Sequence, residues 1–383
     1  MPHARKRLIL PFLKKQLGFF PVVSIQGARQ TGKSFLAREL LGPLFPEHRY
    51  FTLDDETYRS QVEDSAKLFL SENDEYKPLV IDEAQKVVKI FDAIKYKVDQ
   101  KKIPGKYLLL GSTEFSKEMN IRESLTGRMG RVRVYPMTVQ ECVGMDSKKE
   151  LKTSNLLQYL EDGGLPGICF VRANEHKKAL FRDWINITCS RDLLQFKKIR
   201  LDGELALRIL KQTAIMEEPT RANIAKALRV DARKVETHLK ALMQLFAINR
   251  IDPHPSGVGK PMYLPFDCGL AHYLGANRER CLHICLLNEV LVKRSLRHDD
   301  AGVYYYKSTG KKIIHLIEDR EQKGLFATQI IMHDSIKKTD SELMKAFILK
   351  NKKSSGQILA PIDDGFKLNE IQYRPWVASL HLN

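Results

Sequence analysis

An apolar run, VVSIQ at 22–26, leads straight into GARQTGKS at 27–34. The run reads as a buried strand. The eight residues after it fit the phosphate-loop pattern G-x-x-x-x-G-K-[ST] through Gly27, Gly32, Lys33 and Ser34. Each residue type answers a need of a bound triphosphate. Glycine at both ends lets the backbone curl until successive N–H groups converge on phosphate oxygens. A helix beginning near Lys33 adds the positive end of its dipole. The Lys33 amine reaches β- and γ-phosphates, and the Ser34 hydroxyl is placed to ligate Mg²⁺. The expected cradle is Gly27, Ala28, Arg29, Gln30, Thr31, Gly32, Lys33, Ser34 and Phe35.

A strand, a loop and a helix in that order predict a parallel α/β sheet, and later segments supply the rest of a hydrolytic site. HRYFTLDD at 48–55 reads as a second strand ending in acids. KPLVIDEAQK at 77–86 is a third, ending in Asp82 and Glu83. An acid pair at a strand tip about fifty residues beyond a phosphate loop suits two tasks: Asp82 holds the Mg²⁺ shell and Glu83 activates the attacking water. Gln85 extends the motif. KYLLLGSTEFS at 106–116 is a further buried strand, with Ser112 the expected polar sensor and Thr113 its neighbour. In ESLTGRMGRVRVYPMTVQE, Arg128 sits at a glycine-flanked bend and is the expected arginine finger, acting within the chain or from a neighbouring subunit. Arg131 and Arg133 alternate with valines on a strand, which suits surface ion pairs.

Hydrophobic content of 43% and charged content of 28% fit a soluble globular class, and 383 residues suffice for two or three domains. No apolar stretch approaches the ~18 residues of a bilayer-spanning helix, so no membrane partner is expected. The start, MPHARKRLILPFLKKQL, reads as an amphipathic helix on the first domain rather than a signal peptide. Six scattered cysteines form no C-x-x-C pair. Cys281 and Cys285 flank His283, but further ligands at zinc spacing are lacking, so buried thiols in a reducing cytoplasm are expected. The net charge of +17 suits a polyanionic partner and equally a well-solvated basic surface.

GARQTGKS, LVIDEAQK, the LLGST strand and SLTGRMGRVRVYPMTVQE together resemble the AAA-type P-loop domain of a large prokaryotic ATPase family. The resemblance continues through YLEDGGLPGI at 159–168, RDLLQF at 191–196 and FDCGLAHYLG at 266–275. It implies a Mg²⁺-dependent ATPase, oligomeric, with domains at 1–145 (AAA-type ATPase), 146–275 (helical connector and winged helix) and 276–383 (a small α/β nuclease-like domain).

In the middle region Ile224, Ala225 and Leu228 mark one helix, and Val235, Leu239, Leu242 and Leu245 a second, with Asp231 as N-cap between them. INRIDPHPSGVGKPMYLPFD then reads as a hairpin or wing. Arg233 and Lys234 would meet phosphates if the second helix entered a DNA groove; packing or oligomerisation is the alternative use. In the last region the family's nuclease-like fold carries an Asp on one strand and an acid and lysine on the next. By register those positions hold Ile314, Gln329 and Ile331, which cannot ligate a divalent ion, leaving Glu289 on the preceding helix as the remaining acid. Glu318, Asp319 and Asp334 offer a site only under a shifted register. Three functions stay open: an oligomeric ATPase driving a protein client, a DNA-associated ATPase, and a slow nucleotide-dependent switch.

Overall fold

A computed structural model describes residues 5–115, 125–144, 151–196, 200–297, 299, 301–310, 312–368 and 371–380. It divides into two compact units. The first comprises residues 1–137 with the short segments 165–167 and 244–246; the second holds the rest.

In the first unit, α1 (Ile9–Phe19) buries Ile9, Phe12, Leu13, Gln16 and Leu17, the spacing of one helical face. Next come β1 (Val22–Gln26) and α2 (Lys33–Phe35), the latter continued by a π-helical stretch Leu36–Leu41. They are followed by β2 (Arg49–Thr52), α3 (Glu56–Glu72), β3 (Leu79–Asp82), α4 (Lys89–Gln100), β4 (Tyr107–Gly111) and β5 (Met129–Arg133). Asp55 caps α3 by accepting from the Thr57 and Tyr58 N–H groups, so the acids ending β2 start a helix.

The five strands form one sheet in the order β2-β3-β4-β1-β5, and every pair is parallel. Every residue of β1, β3 and β4 is buried, as expected of parallel strands covered on both faces. Phe91 of α4 packs edge-on against Phe115 beyond β4, with centroids 5.3 Å apart. Each such ring contributes about 1.5–3 kcal/mol by leaving water. Because β4 lies between β1 and β3, the residue after its tip, Ser112, falls between the phosphate loop and the acids.

The second unit begins with α5 (Val139–Val143), α6 (Thr153–Asp162), α7 (Asn174–Asn186), α8 (Gly203–Ile215), α9 (Arg221–Leu228) and α10 (Ala232–Gln244). Asp231 accepts from the Arg233 and Lys234 N–H groups at 2.8 and 3.3 Å, capping α10 as expected. Then follow the antiparallel hairpin β6 (Ile248–Pro253) and β7 (Met262–Pro265), α11 (Cys268–Tyr273) and α12 (Arg278–Arg297). The chain closes with β8 (Val303–Lys307), β9 (Ile313–Asp319), β10 (Leu325–Ile330), α13 (Glu342–Lys350), β11 (Ser354–Ala360), β12 (Phe366–Leu368) and β13 (Ile371–Pro375). The eight strands make one sheet in the order β12-β13-β11-β10-β9-β8-β6-β7, so the hairpin and the C-terminal strands are continuous.

Two segments singled out by sequence meet inside this unit. Asp267 accepts from the Gly164 and Leu270 N–H groups, both at 2.8 Å. Burial pushes its carboxyl up to about 6, against the opposing pull of those N–H groups. Gly163 has φ +73°, and a Cβ there would lie 2.3 Å from Asp267 Oδ1, so only glycine fits.

A bulge between β8 and β9 brings Ile314 and Ile317 onto the same face, in an apolar cluster with Met344 and Phe347 of α13. Ile331 belongs to that cluster, and the Gln329 amide donates to the Asp340 carbonyl at 3.1 Å. The positions read from sequence as a vanished metal site are therefore core and loop-bracing positions.

Candidate functional site

Lys33 is 6% exposed, and its Nζ donates to the carbonyls of Gly27 and Ala28, both at 2.8 Å. The loop is thus closed on its own lysine. Gly32 has φ +88° and Gln30 φ 61°, the left-handed steps that curl the backbone. At Gly27 a Cβ would lie 2.2 Å from the Val134 carbonyl oxygen, so the loop's first glycine is fixed by close approach to the end of β5. Thr31 Oγ1 donates back to the Ala28 carbonyl at 2.8 Å. Arg7, which sequence reasoning did not single out, donates to the Thr31 and Tyr135 carbonyls at 2.8 and 2.9 Å and braces the loop from outside. Ala28 is buried, and Phe35 continues the helix that Lys33 begins.

Opposite the loop, the Ser34 hydroxyl donates to Asp82 Oδ2 at 2.6 Å. Asp82 Oδ1 accepts the Glu83 N–H at 2.8 Å. A second donor to Oδ2 is the Tyr50 hydroxyl, reached because Thr52 of β2 pairs with Asp82 of β3. Burial pushes the Tyr50 hydroxyl well above its ordinary range, reinforced by the neighbouring Asp82 charge. Tyr50 therefore stays protonated and donates. The Arg38 guanidinium lies over its ring at 5.3 Å.

Glu83 follows Asp82 with φ 52° and ψ 41°, a left-handed conformation that turns its side chain away from the β3 direction. Its Oε2 accepts from Ser112 Oγ at 3.1 Å and from the Gln85 amide. Gln85 Nε2 also lies 3.4 Å from Ser112 Oγ. Ser112 and Thr113 are both buried. The residue expected as a sensor thus holds the residue expected as the base.

Arg128 is elsewhere. It precedes β5, whose Met129 pairs with Val22 at the start of β1, whereas the loop leaves the end of β1 after Gln26. At about 3.3 Å per residue that is roughly 15 Å along the strand. Its Nε pairs with Asp99 at 2.5 Å, and its Nη1 donates to the Thr126 carbonyl. It is not brought to its own chain's phosphate loop. Arg133 is the strand residue level with Gln26; it lies over the Tyr135 and Phe246 rings at 4.6 and 4.9 Å, and Arg131 is exposed.

The oxygens suit Mg²⁺. Ser34 and Asp82 present neighbouring oxygens 2.6 Å apart, near the ~3 Å spacing of adjacent ligands in an octahedron of 2.0–2.1 Å bonds. Among the described residues no group of three or more His, Cys, Asp or Glu could hold a metal. An ion here would draw its remaining ligands from water and phosphate, which is the habit of Mg²⁺. Among the same residues, no helix is long and apolar enough to cross a membrane.

Two curated proteins, two solved structures and one family model are similar to this chain. Uncharacterized proteins of Mycobacterium bovis and Mycobacterium tuberculosis are each 28% identical over 269 residues, covering 68% of this chain and 58% of theirs. The matched stretch thus spans less than two thirds of those relatives. Among solved structures, a Walker-type ATPase of Pyrococcus abyssi aligns over 72% of this chain and 99% of its own, at 15% identity and a TM-score of 0.43. A signal-transduction ATPase with numerous domains and a tetratricopeptide-repeat sensor, from Pyrococcus horikoshii, aligns over 78% and 49%, at 14% identity and a TM-score of 0.31. Residues 20–143 match the family described as an AAA domain, and all five strands of the first sheet fall within them. Residues 20–143 are thus similar to an AAA domain, and the parallel sheet they form carries the phosphate loop at the end of β1.

Proposed function

We propose that this chain is a Mg²⁺-dependent ATP hydrolase that works as a homo-oligomer and couples turnover to a change of shape in a protein client. The Ser34–Asp82 hydrogen bond carries the reading, because it joins the phosphate loop to the tip of β3 where a metal-bound triphosphate needs both. A Mg²⁺ ion, when bound, would supply positive charge to offset charge developing on the phosphates. Lys33 would leave the loop carbonyls and bind the β- and γ-phosphates in their place. Ser34 and Asp82 would hold the metal from the protein side. Glu83 would orient the attacking water and take its proton, with Ser112 and Gln85 fixing its carboxylate. Arg128 would serve the site of a neighbouring subunit rather than its own.

The test is phosphate release from the full chain. Lys33→Ala should lose tight ATP binding, and Glu83→Gln should keep binding while turnover stops. Unchanged release in both variants would overturn the assignment.

One observation favours a DNA-associated version. Arg233 and Lys234 lead α10 and are exposed, while Glu236, the acid that would weaken a basic face there, is paired with Arg221 and Lys240 at 2.5 and 2.8 Å. In this reading residues 146–275 include a winged helix and residues 276–383 a nuclease-like domain without hydrolytic function. DNA affinity that falls steeply with salt, with a shallower slope for Arg233→Ala, would support it; no binding at low salt would end it.

A further inference from the structure

The sheet of the second unit has two unlike faces. One is the apolar cluster under α13. The other lines a cavity of about 1020 Å³ between the strands and α12, at the upper limit of the size of small-ligand sites. Its floor is polar. Thr328 of β10 pairs in register with Gln357 of β11, and Gln357 with Gln372 of β13, giving one rung of hydrogen-bonding side chains across three strands. Thr328 and Gln357 are buried, joined by an amide-to-hydroxyl bond of 3.3 Å. Buried polar side chains such as these two cost stability unless their hydrogen bonds are used, while Gln372 at the end of the rung is exposed to solvent.

The walls are cationic. Glu318 is paired with Arg320 at 3.0 Å and Asp299 with Arg294 at 3.6 Å, so these acids are already compensated. Lys293, Arg297, Lys323 and Arg374 add positive charge around the same space, and Glu321 adds one further acid. At the back of the cavity Glu289 is 2% exposed; its Oε1 accepts the Val139 N–H at 2.9 Å, and its buried Oε2 has no hydrogen-bond partner among the described residues. Burial pushes this carboxyl up to about 8, against the pull of the Val139 N–H. It is therefore protonated at neutral pH and able to donate.

We propose that this cavity binds a phosphate-bearing ligand, its phosphate held by Arg374 and the neighbouring cations and its polar body by the Thr328–Gln357–Gln372 rung and Glu289. A bare metal ion is the wrong occupant for so cationic a wall. The chemistry fits both a free phosphorylated metabolite and the phosphate-bearing end of a nucleic-acid strand.

The test is calorimetric titration of the full chain with inorganic phosphate, AMP and a 5′-phosphorylated deoxythymidine octamer. AMP lacks the β-phosphate that the loop lysine would engage. Each probe is also titrated against Arg374→Ala, Gln357→Ala and Lys33→Ala. Arg374 is only part-buried, so its variant should fold even if the Gln357 variant does not. Expected is binding of at least one probe that weakens roughly tenfold in Arg374→Ala, as for one charge-assisted contact, and is unchanged in Lys33→Ala. Binding of phosphate or AMP would assign a small molecule, and binding of the octamer alone a strand end. Three results would each overturn the proposal: no binding at millimolar probe, binding indifferent to Arg374→Ala, or binding abolished by Lys33→Ala.

Discussion

Tyr50 and Ser34 donate to the same carboxylate oxygen, Oδ2 of Asp82. Two hydroxyls from different elements thus draw on the charge of the one acid placed to steady a metal. The Ser34 bond is compatible with a metal's ligand sphere, whereas the Tyr50 bond competes with it. Removing that competitor in Tyr50→Phe should lower the Mg²⁺ concentration for half-maximal phosphate release, by roughly threefold to tenfold for a single hydrogen bond to a charged group. A Mg²⁺ titration of the two proteins checks it, and an increase in the Mg²⁺ requirement would show that Tyr50 aids the metal.

Ser112 holds Glu83 at 3.1 Å. Ser112→Ala should leave ATP affinity nearly unchanged and lower turnover by roughly tenfold to a hundredfold, since a base out of alignment loses part of its catalytic effect. Steady-state kinetics separate the two quantities. A rise in KM with kcat intact would place Ser112 on the nucleotide instead.

Arg128 lies at the end of the sheet remote from its own loop and pairs with Asp99 on the part-exposed surface. Arg128→Ala should therefore cost well under ~1 kcal/mol of stability and leave ATP affinity intact. Turnover per chain should rise with protein concentration in the parent protein and stay low in the variant. Equal activity of both proteins at high concentration would remove Arg128 from catalysis.

Glu289 gives a pH signature of stability. Its folded value of about 8 lies above its ordinary 4.5, so between those values the folded chain binds more protons than the unfolded one. This contribution is fully present below about pH 4.5 and is lost as pH rises through about 8. Glu289→Gln should flatten that fall and be the more stable protein at pH 9, by an amount on the order of a few kcal/mol. Urea unfolding midpoints from pH 5 to pH 9 measure the difference. Parallel curves for the two proteins would contradict it.

What could be read from sequence was what is local. The VVSIQ strand, the loop and the acids ending β3 are each contiguous, so residue type and spacing expose them. Tyr50 was hidden because a tyrosine in a short strand looks like any strand residue; its role depends on β2 lying beside β3 in one register. The end of the sheet that Arg128 occupies was hidden for a related reason. A glycine-flanked arginine reads as a loop tip, but strand direction sets which end of the sheet it occupies. At Ile314 the bulge between β8 and β9 broke the two-residue alternation, and one added residue exchanges the faces of a strand. The cavity on the opposite face was invisible for the same reason, since its floor is assembled from residues on three strands.

The Arg7 brace has a practical consequence. One guanidinium ties the carbonyl of Thr31, inside the loop, to that of Tyr135, just past β5. The loop's shape is thus set partly by a residue twenty-four positions upstream in sequence. Replacing that one residue would loosen the loop while every motif residue remained in place. Two variants identical in every motif but differing at Arg7 would then differ in how the loop holds its shape.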